Sequence, residues 1–213
     1  MIYLVGGGAL NVEWLKKLDK DDVTWIGVDR GTKSIMDADL IVDRAFGDFD
    51  SVTEEELTAI KRSVKYIEKA SPDKDQTDME MALDWALDQQ QPIRMVGATG
   101  GRLDHFFGNV QLLASKQVLS SIHEVEIMDE QNRIRCLDAG EWEAKKDLQF
   151  PYVSFIPLTP CVEKLSLDGV KYPLNNKDLF FGSTLTISNE IIYPIASISF
   201  SAGILMMVRS KDN

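Results

Sequence analysis

The sequence predicts an α/β protein, with an N-terminal parallel-sheet α/β domain over residues 1–130 and a C-terminal antiparallel β-sandwich domain over 131–213. Two observations predict this. Through roughly the first 125 residues, short apolar runs alternate with stretches of helical spacing, in a strand, loop, helix order repeated about five times; that order implies parallel strands joined by crossover helices. Beyond Gln131 the helical spacing stops and short alternating runs take over, the pattern of antiparallel strands. A composition of 44% hydrophobic and 27% charged residues is that of a folded chain.

Ile2–Val5 reads as the first strand and ends in Gly6-Gly7-Gly8; Val12 to Leu18 follows with helical spacing. Val23–Val28 is the second strand, ending at Asp29-Arg30-Gly31, and Leu40–Val42 is the third, running towards GDFDS at Gly47–Ser51. Ser51 with Glu54, or Thr53 with Glu56, can form a capping box for the next helix, whose apolar face is Leu57, Ile60 and Val64. Tyr66–Ile67 is a weak strand before DKDQTD at Asp73–Asp78. Thr77 and Glu80 make a third capping box, and Met79, Ala82, Leu83 and Ala86 supply that helix's apolar stripe. Ile93–Val96 is a strand ending in GATGG; a helix from Leu103 to Leu119 would bury Leu103, Phe107, Val110 and Ala114; Val125–Met128 is one more strand.

In the C-terminal part, Arg133–Leu137, Tyr152–Ile156, Val162–Leu167, Thr184–Ser188 and Ile191–Pro194 read as short strands. Ala196, Ile198 and Phe200 alternate with Ser197, Ser199 and Ser201, giving a half-buried strand, and Ala202-Gly203 turns the chain into Ile204–Val208.

Charge and cysteine content exclude several functions. The chain carries 23 Lys and Arg against 34 Asp and Glu, a formal charge of -11, with no basic stripe, so neither nucleic acid nor an anionic membrane is an expected partner. No apolar run approaches the length that spans a bilayer. The opening segment lacks the basic start and long apolar core of a signal peptide, so the expected compartment is the cytoplasm. Cys136 and Cys161 lack CxxC spacing and read as reduced thiols; with only His105 and His123 beside them, a thiolate or imidazole zinc site is not expected. No GxxxxGK[ST] or GxSxG motif occurs, and Asn11 stands where a GxGxxG loop opening at Gly6 would need glycine.

In sheets of this kind the loops at the carboxyl ends of the strands form the ligand crevice. The glycines, GDFDS, DKDQTD and GGRLDH all fall in such loops. Two carboxylates about 4 Å apart repel by roughly 4 kcal/mol at an effective dielectric near 20. Aspartates also cap helices, and Asp75, Asp78 and Asp104 sit where a helix dipole favours them. Three acidic groups on neighbouring loops nevertheless point to a hard cation with oxygen ligands, Mg²⁺, holding a polyphosphate. His105 is open between a structural, a substrate-orienting and a proton-transfer role.

These loops resemble a known family. GVDRG at Gly27–Gly31, GDFDS, DKDQTDMEMAL at Asp73–Leu83 and GATGGRLDHFFGNV at Gly97–Val110 are similar, in order and spacing, to thiamine pyrophosphokinases; so are GVKYPL at Gly169–Leu174 and GSTLTISNE at Gly182–Glu190. The resemblance implies a homodimer that moves a pyrophosphoryl group from ATP to the hydroxyl of thiamine, releasing AMP. It implies Mg²⁺ ligation by Asp48, Asp50 and Asp78 with Asp75 nearby, and engagement of phosphates and metal by Arg102 and Asp104. Nucleotide contacts are implied for Asp29, Lys74, Thr77, Arg102 and His105, and thiamine contacts for Ser188 and Asn189. Thr186 departs from the glycine expected of the family, the role of Lys74 is open, and Asp104 or Asp75 would orient or deprotonate the alcohol. A metal-dependent phosphohydrolase and a non-catalytic sensor of thiamine phosphates are the competing readings.

Overall fold

A computed structural model describes residues 1–50, 52–68 and 76–212. It forms two compact units, one of Met1–Leu112 with Ser120–Glu130, the other of Leu113–Leu119 with Gln131–Asn213.

The first unit is built on β1 (Ile2–Val5), β2 (Thr24–Val28), β3 (Arg44–Phe46), β4 (Ile67–Glu68), β5 (Ile93–Val96) and β6 (Val125–Met128). They lie in the order β6-β5-β1-β2-β3-β4, every pair parallel. The helices are α1 (Val12–Leu18), α2 (Gly31–Asp37), α3 (Glu54–Ser63), α4 (Asp78–Asp88) and α5 (Leu103–Leu113). Tyr3, Val5, Leu15, Trp25, Ile35 and Ile60 anchor one core layer, while α4 buries Met79, Ala82, Leu83 and Ala86 against β1, β2 and β3.

Four adjacent strands carry a row of side chains in register: Trp25, Tyr3, Arg94 and Glu126. Trp25 stacks on Tyr3 at 4.7 Å. Arg94 donates to the Tyr3 hydroxyl at 3.0 Å and to the buried Glu126 carboxylate at 2.7 Å. Strand order reverses between β1 and β5, where a crevice would open in a doubly wound sheet. Here the two strand-end loops are joined instead: the Gly6 N–H donates to the Val96 carbonyl and the Gly8 N–H to the Gly97 carbonyl, both at 2.8 Å.

The second unit begins with α6 (Lys116–Leu119) and is a β-sandwich. One antiparallel sheet is β12-β9-β14-β7, formed by β7 (Asn132–Leu137), β9 (Tyr152–Pro157), β12 (Asn189–Glu190) and β14 (Leu205–Ser210). The other is β11-β10-β13-β8, formed by β8 (Gly140–Lys145), β10 (Cys161–Asp168), β11 (Leu174–Phe180) and β13 (Ile195–Phe200). Leu137, Phe155 and Leu205 from the first sheet pack with Val162, Leu165 and Ile198 from the second. Burial pushes the Cys136 thiol up to about 12, so no thiolate is available at that position at neutral pH.

Several expectations are corrected. The third strand is Arg44–Phe46, not Leu40–Val42: Ile41 faces solvent, and it is Arg44–Phe46 that pairs with Ile26–Val28 of β2. The helix expected to run to Leu119 stops at Leu113, and Leu103 and Phe107 are exposed; only Val110 of that stripe is fully buried, with Ala114 half-buried beyond the helix end. Thr184–Ser188 and Ile191–Pro194 are turns and loop: Thr186 is buried and its hydroxyl donates to the Phe155 carbonyl, while Ser188 has a positive φ of 56°. Of the capping boxes, Thr53–Glu56 is complete; Thr77 only accepts from the Glu80 N–H; Ser51 lies outside the described residues.

Candidate active site

Residues 47–50 set the site's geometry. Phe49 is buried in the core while Asp48 and Asp50 on either side face solvent. Phe49 therefore anchors the loop from below, and it does so at φ 61°, a left-handed conformation that costs an aromatic residue about 1 kcal/mol or more. The Asp50 N–H donates to Asp48 Oδ1 at 2.9 Å, which turns the Asp48 side chain back over the loop. Gly47 has φ 143°, and a Cβ there would collide with Oδ1 of Asp29. The glycine lets the loop after β3 close onto the end of β2. Asp29 itself has φ 48° and accepts from the Phe49 N–H at 3.4 Å.

The third carboxylate comes from α4. The Thr77 hydroxyl caps this helix by accepting from the Glu80 N–H at 3.2 Å, which leaves Asp78 at the first helical position. Asp29, Asp48 and Asp78 each offer an oxygen within 4.8 Å of the others. Burial, followed by the charge of Asp78, pushes the Asp29 carboxyl up to about 7. Asp78 is raised as well, by burial first and by the charges of Asp48 and Asp50. Its Oδ1 is buried and has no hydrogen-bond partner among the described residues. Without a cation, Asp29 and Asp78 are drawn to share one proton.

A hard divalent cation fits this arrangement: three oxygen donors converge, one of them is orphaned, and no sulfur or imidazole is among them. Of the ligands implied by the resemblance, Asp48 and Asp78 lie in the cluster. Asp50 lies outside it, close enough for its charge to act on Asp78, and Asp29 is the third member. The signal for Asp29 was its position, the first carboxylate past β2 and followed closely by Gly31.

Arg102 and Asp104 form a self-contained pair. The guanidinium donates Nε to Oδ1 at 3.1 Å and Nη2 to Oδ2 at 2.6 Å, which holds the Asp104 carboxyl down at about 2. Both are exposed, after Gly100 and Gly101 at positive φ. His105 is exposed, and its N–H donates to Asp104 Oδ1. Lys74 and Asp75 lie outside the described residues. In the second unit, Ser188 is exposed with its N–H donating to Ser154 Oγ. Asn189 is buried, its amide committed to the backbone of Tyr172: Oδ1 accepts from the N–H at 3.0 Å and Nδ2 donates to the carbonyl at 2.9 Å.

Residues 15–123 match the family model described as thiamin pyrophosphokinase, catalytic domain, and residues 142–205 match thiamin pyrophosphokinase, vitamin B1 binding domain. The chain is 45% identical over 213 residues to the thiamine pyrophosphokinase of Bacillus subtilis (strain 168), covering 99% of each.

The chain belongs to the thiamine pyrophosphokinase family.

Solved structures agree along the whole length. The thiamin pyrophosphokinase of Geobacillus thermodenitrificans superposes with a TM-score of 0.88 at 44% identity, covering 100% of this chain and 98% of that one. A thiamin pyrophosphokinase family protein from Enterococcus faecalis does so at 0.86 with 32% identity, covering 100% and 99%. The carboxylate cluster falls within the stretch matched by the family's catalytic-domain model, and Ser188 and Asn189 within its vitamin B1 binding domain.

Proposed function

We propose that the chain is a thiamine pyrophosphokinase, which transfers a pyrophosphoryl group from ATP to the hydroxyl of thiamine and yields thiamine pyrophosphate and AMP. The observation that carries this reading is the convergence of Asp29, Asp48 and Asp78 around an unsatisfied buried oxygen, in a chain similar over its full length to enzymes of that name. These three carboxylates would hold Mg²⁺, with Asp50 beside them. Bound there, Mg²⁺ supplies charge neutralisation to the triphosphate, which a net-negative cluster would otherwise repel.

The chain's own contribution is positioning and electrostatics. The thiamine oxygen bonds to the β-phosphorus, the bond between that phosphorus and the α–β bridging oxygen breaks, AMP leaves with the electron pair, and the alcohol proton is released. Arg102 presents a planar fork suited to two phosphate oxygens, a geometry lysine lacks. Asp104, whose carboxyl pairs with Arg102 and is held near 2 by it, orients that guanidinium. Thr77 holds the first turn of α4, and so Asp78, in place. In the second unit Ser188 offers an exposed hydroxyl to thiamine, and Asn189 keeps the Tyr172 segment and Ser188 in register. The reading includes a homodimer and a cytoplasmic location, where ATP is supplied.

Purified protein with ATP, Mg²⁺ and thiamine should form thiamine pyrophosphate and AMP in equal amounts, read by ion-exchange chromatography. ADP with thiamine monophosphate would refute attack at the β-phosphorus. ATP consumption that does not require thiamine would select the phosphohydrolase instead.

A further inference from the structure

We infer that Arg30 is a substrate-binding residue of this site, its guanidinium contacting the polyphosphate of the nucleotide beside the carboxylate cluster. The inference rests on the proposed ATP-dependent transfer. An acidic cluster that receives a triphosphate needs cations beyond a single metal ion, because the carboxylates and phosphates together carry more negative charge than one divalent ion cancels.

The cations near the strand ends can be taken in turn. Lys33 is paired with Asp37 one helical turn away. Arg44 sits at the opposite, amino end of β3, paired with Glu68 and flanked by the rings of Tyr66 and Trp85. Arg102 is held by Asp104. Arg30 is exposed, and while its carbonyl accepts from the Lys33 and Ser34 N–H groups, its side chain makes no hydrogen bond or ion pair among the described residues.

Its placement suits a phosphate contact. It directly follows Asp29, a member of the cluster, and caps the short helix α2 with backbone in the helical region at φ -59°, ψ -21°. Its Cβ lies 3.4 Å from where a Cβ on Gly7 would stand, so the side chain starts beside the Gly6–Gly8 turn that ends β1. A glycine at position 7 keeps that path clear. On the other side, the Glu56 carboxyl is held down first by the Thr53 N–H and, more weakly, by the charges of Arg30 and Lys33, so the Arg30 charge is felt at the first turn of α3. The GDFDS loop and its carboxylates precede α3 by only a few residues. A delocalised guanidinium with five donors can grip two phosphate oxygens there while remaining charged at any working pH. Its side chain has no partner to give up among the described residues, whereas Arg102 must first leave Asp104.

The test uses Arg30→Ala and Arg30→Lys in the full-length protein. Two readouts are needed: steady-state kinetics with ATP and thiamine, and calorimetric titration of α,β-methylene ATP with Mg²⁺, whose bridge cannot be cleaved. Arg30→Ala should raise both the KM for ATP and the Kd of the analogue by about tenfold to a hundredfold, the range for a lost charged hydrogen bond. The KM for thiamine, the thermal midpoint and the affinity for Mg²⁺ alone should hold. Arg30→Lys should recover only part of the loss. An analogue Kd within twofold of wild type in Arg30→Ala overturns the inference, as does a loss matched by weaker Mg²⁺ binding or a falling midpoint, which would mark a structural role. If the wild-type protein makes no thiamine pyrophosphate while its analogue affinity still depends on Arg30, the proposed reaction fails and the nucleotide contact stands.

Discussion

Asp78 holds a buried carboxylate oxygen that no described residue hydrogen-bonds, next to two further carboxylates. A side chain kept in that state costs stability and is tolerated where a cation compensates or a proton is taken up. Asp78→Asn removes one charge from the cluster without changing its shape. Turnover should fall by at least about a thousandfold, since a ligand is lost, while the thermal midpoint in metal-free buffer should hold or rise. A midpoint collapsing in the variant would show that Asp78 serves only to stabilise the first turn of α4. Gly47→Ala acts on the same cluster from the opposite side, because its methyl would displace Asp29 and its φ of 143° is strained for alanine. It should destabilise the fold by about 1–3 kcal/mol in urea titrations and weaken Mg²⁺ binding together with it. At this scale much of the site was legible. The glycine and paired acids of GDFDS flagged a strand-end loop, and Phe49 between them is what points both acids outward. The membership of Asp29 was not legible as a ligand, because its approach depends on left-handed backbone at residues 29 and 49, which sequence spacing does not encode.

At the scale of elements, local signals and tertiary context diverged in an orderly way. Helices with complete caps were readable: Thr53 and Glu56 satisfy each other's backbone N–H groups at 2.9 and 3.2 Å and start α3. Thr53→Ala should cost about 1 kcal/mol of stability and leave kcat unchanged, as measured by chemical denaturation beside the steady-state assay. Strands β8 and β11 were missed because both are edges of their sheet, where GEWEAK and LNNKDLF place charged and amide side chains in solvent rather than apolar ones in a core. Helix α2 was missed because GTKSIMD is short, lacks a side-chain cap and is held by close packing: a Cβ on Gly31 would strike the Val5 carbonyl. The row Trp25, Tyr3, Arg94, Glu126 was equally invisible, since it exists only once four strands are in register. Glu126→Ala leaves the Arg94 guanidinium without its buried partner and should cost about 3 kcal/mol in denaturant unfolding. Replacing both residues with apolar ones of similar volume should restore most of that loss.

For the whole molecule, the cluster makes stability depend on pH and metal together. Asp29 ionises near 3.8 when unfolded and about 7 when folded without a cation. Between those values the native chain binds the extra proton, so stability falls as pH rises from about 4 to about 7 and levels off above. Asp78 shifts in the same direction. Asp104 and Glu56, whose carboxyls are lowered, shift the opposite way, and their contributions are lost only in more acid solution, as pH drops through their folded values. The window from 4 to 7 therefore reports the cluster, in which Asp48 and Asp78 face Asp29 with the Phe49 N–H as its one described donor. In EDTA the thermal midpoint should decline across that window. Saturating Mg²⁺ should flatten or reverse the decline, because the ion favours the ionised carboxylates, and at a hundredfold excess over Kd it adds about 2.7 kcal/mol at neutral pH. Asp29→Asn should remove most of the decline in EDTA. If the variant keeps the wild-type slope, or Mg²⁺ leaves the profile unmoved, the three carboxylates do not act as one site, and the metal-dependent chemistry proposed for this chain loses its physical basis.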